Sequence, residues 1–205
     1  CLRAAGGQTH RATHDSAYSK SSVNKAAYFA LLRDSIKNTI CETSDGASLD
    51  LEESLNEMRA AFDWATSQGK KVVFIGNGGS SAVASHMAAD ISKNAGVRAV
   101  AFNDISTLTM LGNDFGYDCV FSKQLEFYGF AEDVLVAISS SGGSRNILNA
   151  AQKALEMNIR LFTFTGLVRT ADNKLRHMGK INFVTPCTDY GIVELSHASL
   201  IHSVI

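Results

Sequence analysis

A parallel α/β sheet flanked by helices is the fold class this sequence predicts, and three observations carry that reading. Five short β-branched and aromatic runs recur from residue 71 onward: KVVFIG (71–76), RAVAFN (98–103), VLVAIS (134–139), RLFTFTG (160–166) and INFVTP (181–186). Each is nearly continuous in apolar residues, as strands buried on both faces are. Stretches of helical period separate them, so five β–α units imply a five-stranded parallel sheet with right-handed crossovers. Sheets of this kind bind ligands beyond the carboxyl ends of their strands, and the unusual residues of the sequence lie there.

Ahead of the first strand, residues 22–42 and 50–67 read as two amphipathic helices. In the second, Leu51, Leu55, Met58 and Phe62 recur at three- and four-residue steps and give one apolar stripe. Asp45-Gly46 between them is a turn signal. Two helices placed before a sheet either pack on its face or pair with copies from other subunits. The first 21 residues lack an initiator Met and the apolar stretch of a secretory signal, and are set apart from the fold as poorly defined. Residues 22–205 read as a single domain, with no linker or internal repeat. The end, SLIHSVI, stops inside an apolar helical pattern, so the natural protein is expected to run on.

Composition narrows the function. The chain has 205 residues, 45% hydrophobic and 19% charged, the balance of a globular protein with a core of ordinary size. A formal net charge of -1 gives no basic surplus, so nucleic acid is not the expected main partner. No apolar run approaches the roughly 18 residues that span a bilayer. Cys1, Cys41, Cys119 and Cys187 are scattered with no CxxC pair, which suits reduced thiols in a cytoplasm.

The first strand runs into Gly76-Asn77-Gly78-Gly79-Ser80-Ser81 and then a helix. Glycine here lets backbone approach a ligand closely, and a helix start offers free N–H groups and a positive dipole end to an anion. The third strand ends in Ser139-Ser140-Ser141-Gly142-Gly143-Ser144, again before a helix. Such hydroxyls surround a phosphate with donors, or else serve only as turn formers and N-caps. Neither loop is a Walker motif or a GxGxxG fingerprint, so no nucleotide cofactor is expected.

His86 and Asp90, four residues apart on the helix after the first loop, share a face. Glu194 and His202 lie on the last helical stretch; eight residues give an offset of about 80° and a rise of about 12 Å, an objection to one site holding both. Two His and two carboxylates suit zinc or another divalent ion, and equally a general acid/base set. His197, three residues after Glu194, competes with His202 on spacing alone. Gly112-Asn113-Asp114-Phe115-Gly116-Tyr117 reads as a loop, where Asp114 either binds a sugar hydroxyl or holds the turn.

Together, IGNGGSSAVASHMAAD, LTMLGNDFGYDCVFSKQLE, DVLVAISSSGGSRNILNAA and the final YGIVELSHASLIH resemble the sugar isomerase (SIS) domain family, and within it the phosphoheptose isomerase-like branch. The resemblance covers about residues 22–205 and implies a flavodoxin-like SIS fold whose N-terminal helices serve oligomerisation. It implies substrate contacts from Asn77, Gly78, Gly79, Asn113 and Asp114, and phosphate binding by Ser139, Ser140, Ser141 and Ser144. His86 matches a zinc ligand, and Asp90 stands where the family has a Glu that binds zinc and takes part in proton transfer. Glu194 stands where the family has a Gln ligand, and His202 matches the last His, a metal ligand and catalytic base. The shorter Asp90, the added charge of Glu194 and YGIVE in place of the usual RIQE depart from the family.

The implied chemistry is ketose–aldose isomerisation through an enediol, of sedoheptulose 7-phosphate to D-glycero-heptose 7-phosphate. It comes with one Zn2+ per subunit and with active sites at the interfaces of a homotetramer. Other branches are non-catalytic binding proteins, one of which binds a replication initiator, or sugar-phosphate sensors. The presence of both His86 and His202 favours the enzyme.

Overall fold

The computed structural model of the chain describes residues 24–167 and 173–205. Asn24 starts helix α1 (Lys25–Lys37); its side-chain oxygen accepts from the Ala26 N–H at 3.0 Å, satisfying a donor that a helix start leaves free. This helix is shorter than the 22–42 expected. Residues after it form a small hairpin, β1 (Ile40–Glu42) and β2 (Ser48–Leu49), which turns through Gly46 at φ +86°. Asp45-Gly46 is therefore a turn as expected, but it joins two strands instead of two helices. Helix α2 (Leu51–Ser67) follows, capped by Asp50. Met58 and Phe62 of its stripe are fully buried, with Leu51 and Leu55 at the margin of the same core.

The five apolar runs become β3 (Val72–Gly76), β4 (Ala99–Ala101), β5 (Val134–Ser139), β6 (Arg160–Gly166) and β7 (Ile181–Thr185). They are parallel, in the spatial order β4-β3-β5-β6-β7. Among the described residues the sheet has seven strands, however, and not five: β1 adds antiparallel to β7, with Cys41 opposite Phe183, and β2 pairs outside it. A three-residue strand that exists through pairing with a segment 140 residues away leaves no periodic signature of its own. β4 also differs from the expectation of two buried faces. It forms the other edge, and Val100 is 41% exposed.

Alternation along the central strands divides the core in two. Val72 and Phe74 face one side, where α2, α3 (Gly79–Ala95) and α7 (Tyr190–His202) pack. Val73 and Ile75 face the other, covered by α4 (Ile105–Phe115), α5 (Val120–Tyr128) and α6 (Arg145–Glu156). Tyr28 and Leu32 of α1 lie against Cys187, Ile192 and Val193 at the start of α7. The loop expected at 112–117 is a correction: residues 112–115 are the last turn of α4, and only Gly116, at φ +86°, breaks the chain direction. Among the described residues no helix is long and apolar enough to cross a membrane.

Candidate functional site

The two Gly/Ser loops meet. Asn77, Ser80, Ser139, Ser140, Ser141, Ser144, Tyr190 and Glu194 line one cavity of about 130 Å3 at the carboxyl ends of β3 and β5. Helix α3 starts after Gly78, at φ +55°, and α6 starts after Ser144; neither start has a side-chain cap. Ser144 holds the N-cap position of α6 without its side chain capping the helix. Its hydroxyl lies 3.5 Å from the Ser139 hydroxyl, and while the Ile147 and Ser81 N–H groups are already bonded, the N–H groups of Arg145, Asn146, Gly79 and Ser80 at the two helix starts are the ones an anion could use. The Ser140 hydroxyl is buried without a hydrogen-bond partner among the described residues. Among the described residues no Lys or Arg lines this cavity, and hydroxyls and helix ends turn their donors toward it.

Glu194 places a carboxylate in the same cavity. A methyl group built on Gly79 would run into it, so this glycine is what leaves room for the Glu194 carboxylate there. Burial raises the Glu194 carboxyl above the usual carboxylate range. Asn77 is oriented from behind: it exchanges hydrogen bonds of 2.9 Å with Asn146 of α6 and accepts one of 2.9 Å from the Tyr117 hydroxyl.

A second constellation lies further along the same two helices. His86, Asp90 and His202 bring donor atoms within 4.8 Å of one another. The Asp90 Oδ2 is 3.5 Å from His86 Nε2 and 3.6 Å from His202 Nδ1, too long for strong hydrogen bonds. Both imidazoles are exposed and Asp90 is half-buried. Two nitrogens and a carboxylate around one point fit a divalent ion with three protein ligands and an open position. Glu194 does not complete the group. Helix α7 runs beside α3 in the same direction, so Glu194 meets Gly79 while His202, about 12 Å on, meets His86 and Asp90.

His197 is a core residue. It is fully buried, its Nε2 lies 3.0 Å from the Thr165 carbonyl, its ring packs edge-on against Phe164, and burial lowers its imidazole to about 4. Asn113 and Asp114 stand exposed at the end of α4, the Asn113 amide donating to Asp114 at 2.8 Å, and line neither the serine cavity nor the cleft at the histidines. Asn146, Tyr117 and Tyr190 escaped the sequence reading. Asn146 carries a signal in hindsight, as a polar residue on the inner side of the α6 start.

Residues 37–166 match the family profile described as SIS domain. The chain is 33% identical over 159 residues to a phosphoheptose isomerase of Helicobacter pylori, covering 74% of this chain and 81% of that one. It is 37% identical over 160 residues to one of a Bradyrhizobium species, covering 74% and 78%. Among solved structures, phosphoheptose isomerase GmhA from Neisseria gonorrhoeae superposes with a TM-score of 0.75 at 33% identity, over 88% of this chain and 94% of that one. On these matches and on the geometry above, the chain belongs to the SIS domain family, in its phosphoheptose isomerase branch.

Proposed function

We propose that this chain is an isomerase that converts sedoheptulose 7-phosphate to D-glycero-heptose 7-phosphate. The observation that carries the reading is the spacing of the two constellations along α3 and α7. The serine cavity and the group of His86, Asp90 and His202 lie along the same two helices: on α7, Glu194 lines the cavity and His202 follows it after a rise of about 12 Å. An extended seven-carbon sugar places its phosphorus about 10 Å from its first carbon, and a pentose falls short by about 2.5 Å. Names of the relatives point the same way.

In this reading the phosphate sits among Ser139, Ser140, Ser141 and Ser144, and Asn77, Gly78, Gly79 and Glu194 meet the sugar chain. His202 removes a proton from C1 of the ketose, an enediol forms, and a proton returns at C2. Asp90 stabilises the imidazolium and passes the hydroxyl proton from O1 to O2, so no atom is gained or lost. His86, Asp90 and His202 are the residues that would hold Zn2+, which when bound polarises the substrate's carbonyl oxygen. Asn113 and Asp114 would reach substrate only across a subunit boundary. A homotetramer in the cytoplasm is part of the proposal: the histidines are exposed in one chain, and α1 leaves Phe29 66% exposed for a neighbour.

The test is a screen of the purified protein against C5–C7 ketose phosphates, with aldose product followed by NMR. Turnover of the heptulose phosphate is expected. Tight binding with no turnover of any of them would overturn the enzyme and favour a binding protein. Sedimentation should show four chains per particle.

A further inference from the structure

The strands that a parallel sheet does not require are tied to the anion loop by a continuous set of contacts. Glu42, the last residue of β1, is 6% exposed, and its carboxylate takes a fork from Arg176: Nε donates to Oε1 and Nη2 to Oε2, the latter at 2.8 Å. Its backbone is held as well, paired with Asn182 of β7, whose side-chain amide donates to the Glu42 carbonyl at 3.2 Å. Arg176 lies in a short 3-10 turn, Leu175–His177. From that segment the Arg176 N–H donates to Asn173 Oδ1 at 3.2 Å, and the Asn173 amide donates to the Gly166 carbonyl at the end of β6 at 3.1 Å. The Leu175 N–H donates to the Gly142 carbonyl at 3.1 Å. Gly142 is the middle of the serine loop, at φ +65°, and any side chain there would run into Asn173.

The bond between Leu175 and Gly142 has a directional consequence. A trans peptide is planar, with its C=O and N–H pointing opposite ways. Holding the Gly142 carbonyl outward on Leu175 turns the Gly143 N–H to the inner side of the loop, where it meets the Ser141 hydroxyl at 3.4 Å. The other half of the turn is fixed by the Gly142 N–H, which donates to the Ser139 carbonyl at 2.9 Å. We propose that Glu42 and Arg176 are a positioning pair for substrate phosphate: their ion pair clamps residues 173–177 onto Gly142 and so aims the Gly143 N–H into the anion loop. Neither residue lines the cavity or the cleft at the histidines. A planar guanidinium fork sets orientation as well as charge, which an ammonium does not. The hairpin thus belongs to the machinery of substrate binding, and this rests on the reading that the serine loop holds the phosphate.

Arg176→Lys and Glu42→Gln in the full chain test it, with Ser144→Ala as the reference for the loop itself. The readouts are kcat, KM for the sugar phosphate, inhibition by inorganic phosphate, and amide exchange at Leu175. Both positioning variants should raise KM and the phosphate inhibition constant together by about three- to tenfold, the effect of weakening one hydrogen bond to a charged oxygen. Leu175 exchange should quicken and kcat should hold. Arg176→Lys keeps the charge and is the variant that secures the test if Glu42→Gln folds poorly. A loss of thermal stability with KM and phosphate inhibition unchanged would make the pair purely structural and overturn the proposal. If Ser144→Ala weakens phosphate while the pair's variants do not, the positioning role alone fails. If Ser144→Ala has no effect either, the phosphate lies elsewhere and both readings fall.

Discussion

The imidazole rings of His86 and His202 lie nearly parallel, centroids 6.2 Å and planes 12° apart, and each presents a nitrogen to the same oxygen of Asp90. One ring comes from the middle of α3 and the other from the last residue of α7. The i,i+4 pair on α3 supplies two of the three donors, and the pairing of α3 with α7 in parallel brings the third.

Zinc binding tests that set directly. Titration calorimetry should find one ion per chain, and His86→Ala or Asp90→Ala should weaken it by more than about tenfold. Glu194→Gln should leave the affinity unchanged, because Glu194 stands outside the group. A large loss in Glu194→Gln would place that residue among the ligands, through another subunit.

For the serine loop, Ser141→Ala and Ser144→Ala each remove a donor that a phosphate oxygen would use. Calorimetry with a sugar phosphate should show a loss of about 1.5–3 kcal/mol per variant. Full affinity in both would move the phosphate out of this cavity.

Gly79→Ala probes the contact with Glu194. The new methyl meets the far end of a flexible side chain, and alanine favours a helix over glycine by about 1 kcal/mol, so the melting temperature should hold. The Glu194 carboxylate must move, so affinity for the sugar phosphate should change as it does in Glu194→Ala. The double variant should match Glu194→Ala alone; additive effects would mean that Gly79 acts by another route.

His197 predicts a pH dependence of stability. Its folded pKa of about 4 lies below the unfolded value of about 6.5, so the unfolded chain binds the extra proton. The stability this group contributes is fully present above about 6.5 and is lost as pH falls toward 4. At about pH 5 the loss is about 2 kcal/mol. Urea midpoints at about pH 7.5 and 5 should differ less in His197→Gln, which does not titrate, than in the wild type. Equal falls in both proteins would assign the pH dependence to other groups.

What could be read beforehand followed from burial. Four of the five runs, β3, β5, β6 and β7, lie inside a two-layered core, and the edge run β4 still packs Ala99 and Ala101 against it, so all five are rich in apolar residues and their order along the chain was legible. Ile40–Glu42 was not, because it becomes a strand only by pairing with β7, and the helical pattern before it ran on without a break. At the site, His86 and Asp90 declared themselves by sharing a helix face. The choice between His197 and His202 depended on which side of α7 faces the sheet. Val193, His197, Leu200 and Val204 recur at four- and three-residue steps and are all buried, so the pattern that settles it was present. The resemblance placed Glu194 with His86, Asp90 and His202 at one metal, against the objection from the rise of a single helix; within one chain the other three come together and Glu194 lines the serine cavity instead.

The two edges of the sheet have a bearing on how the protein survives its own synthesis. One edge is β2, two residues long, and the other is β4, three residues long. Long exposed edges offer rows of unpaired N–H and C=O groups on which another chain can grow as a further strand. Here the long, almost wholly buried strands β5 and β6 are enclosed on both sides, and what faces outward is too short to template a fibre. The hairpin that hides the flank of β7 therefore also guards a slow-forming parallel sheet against aggregation.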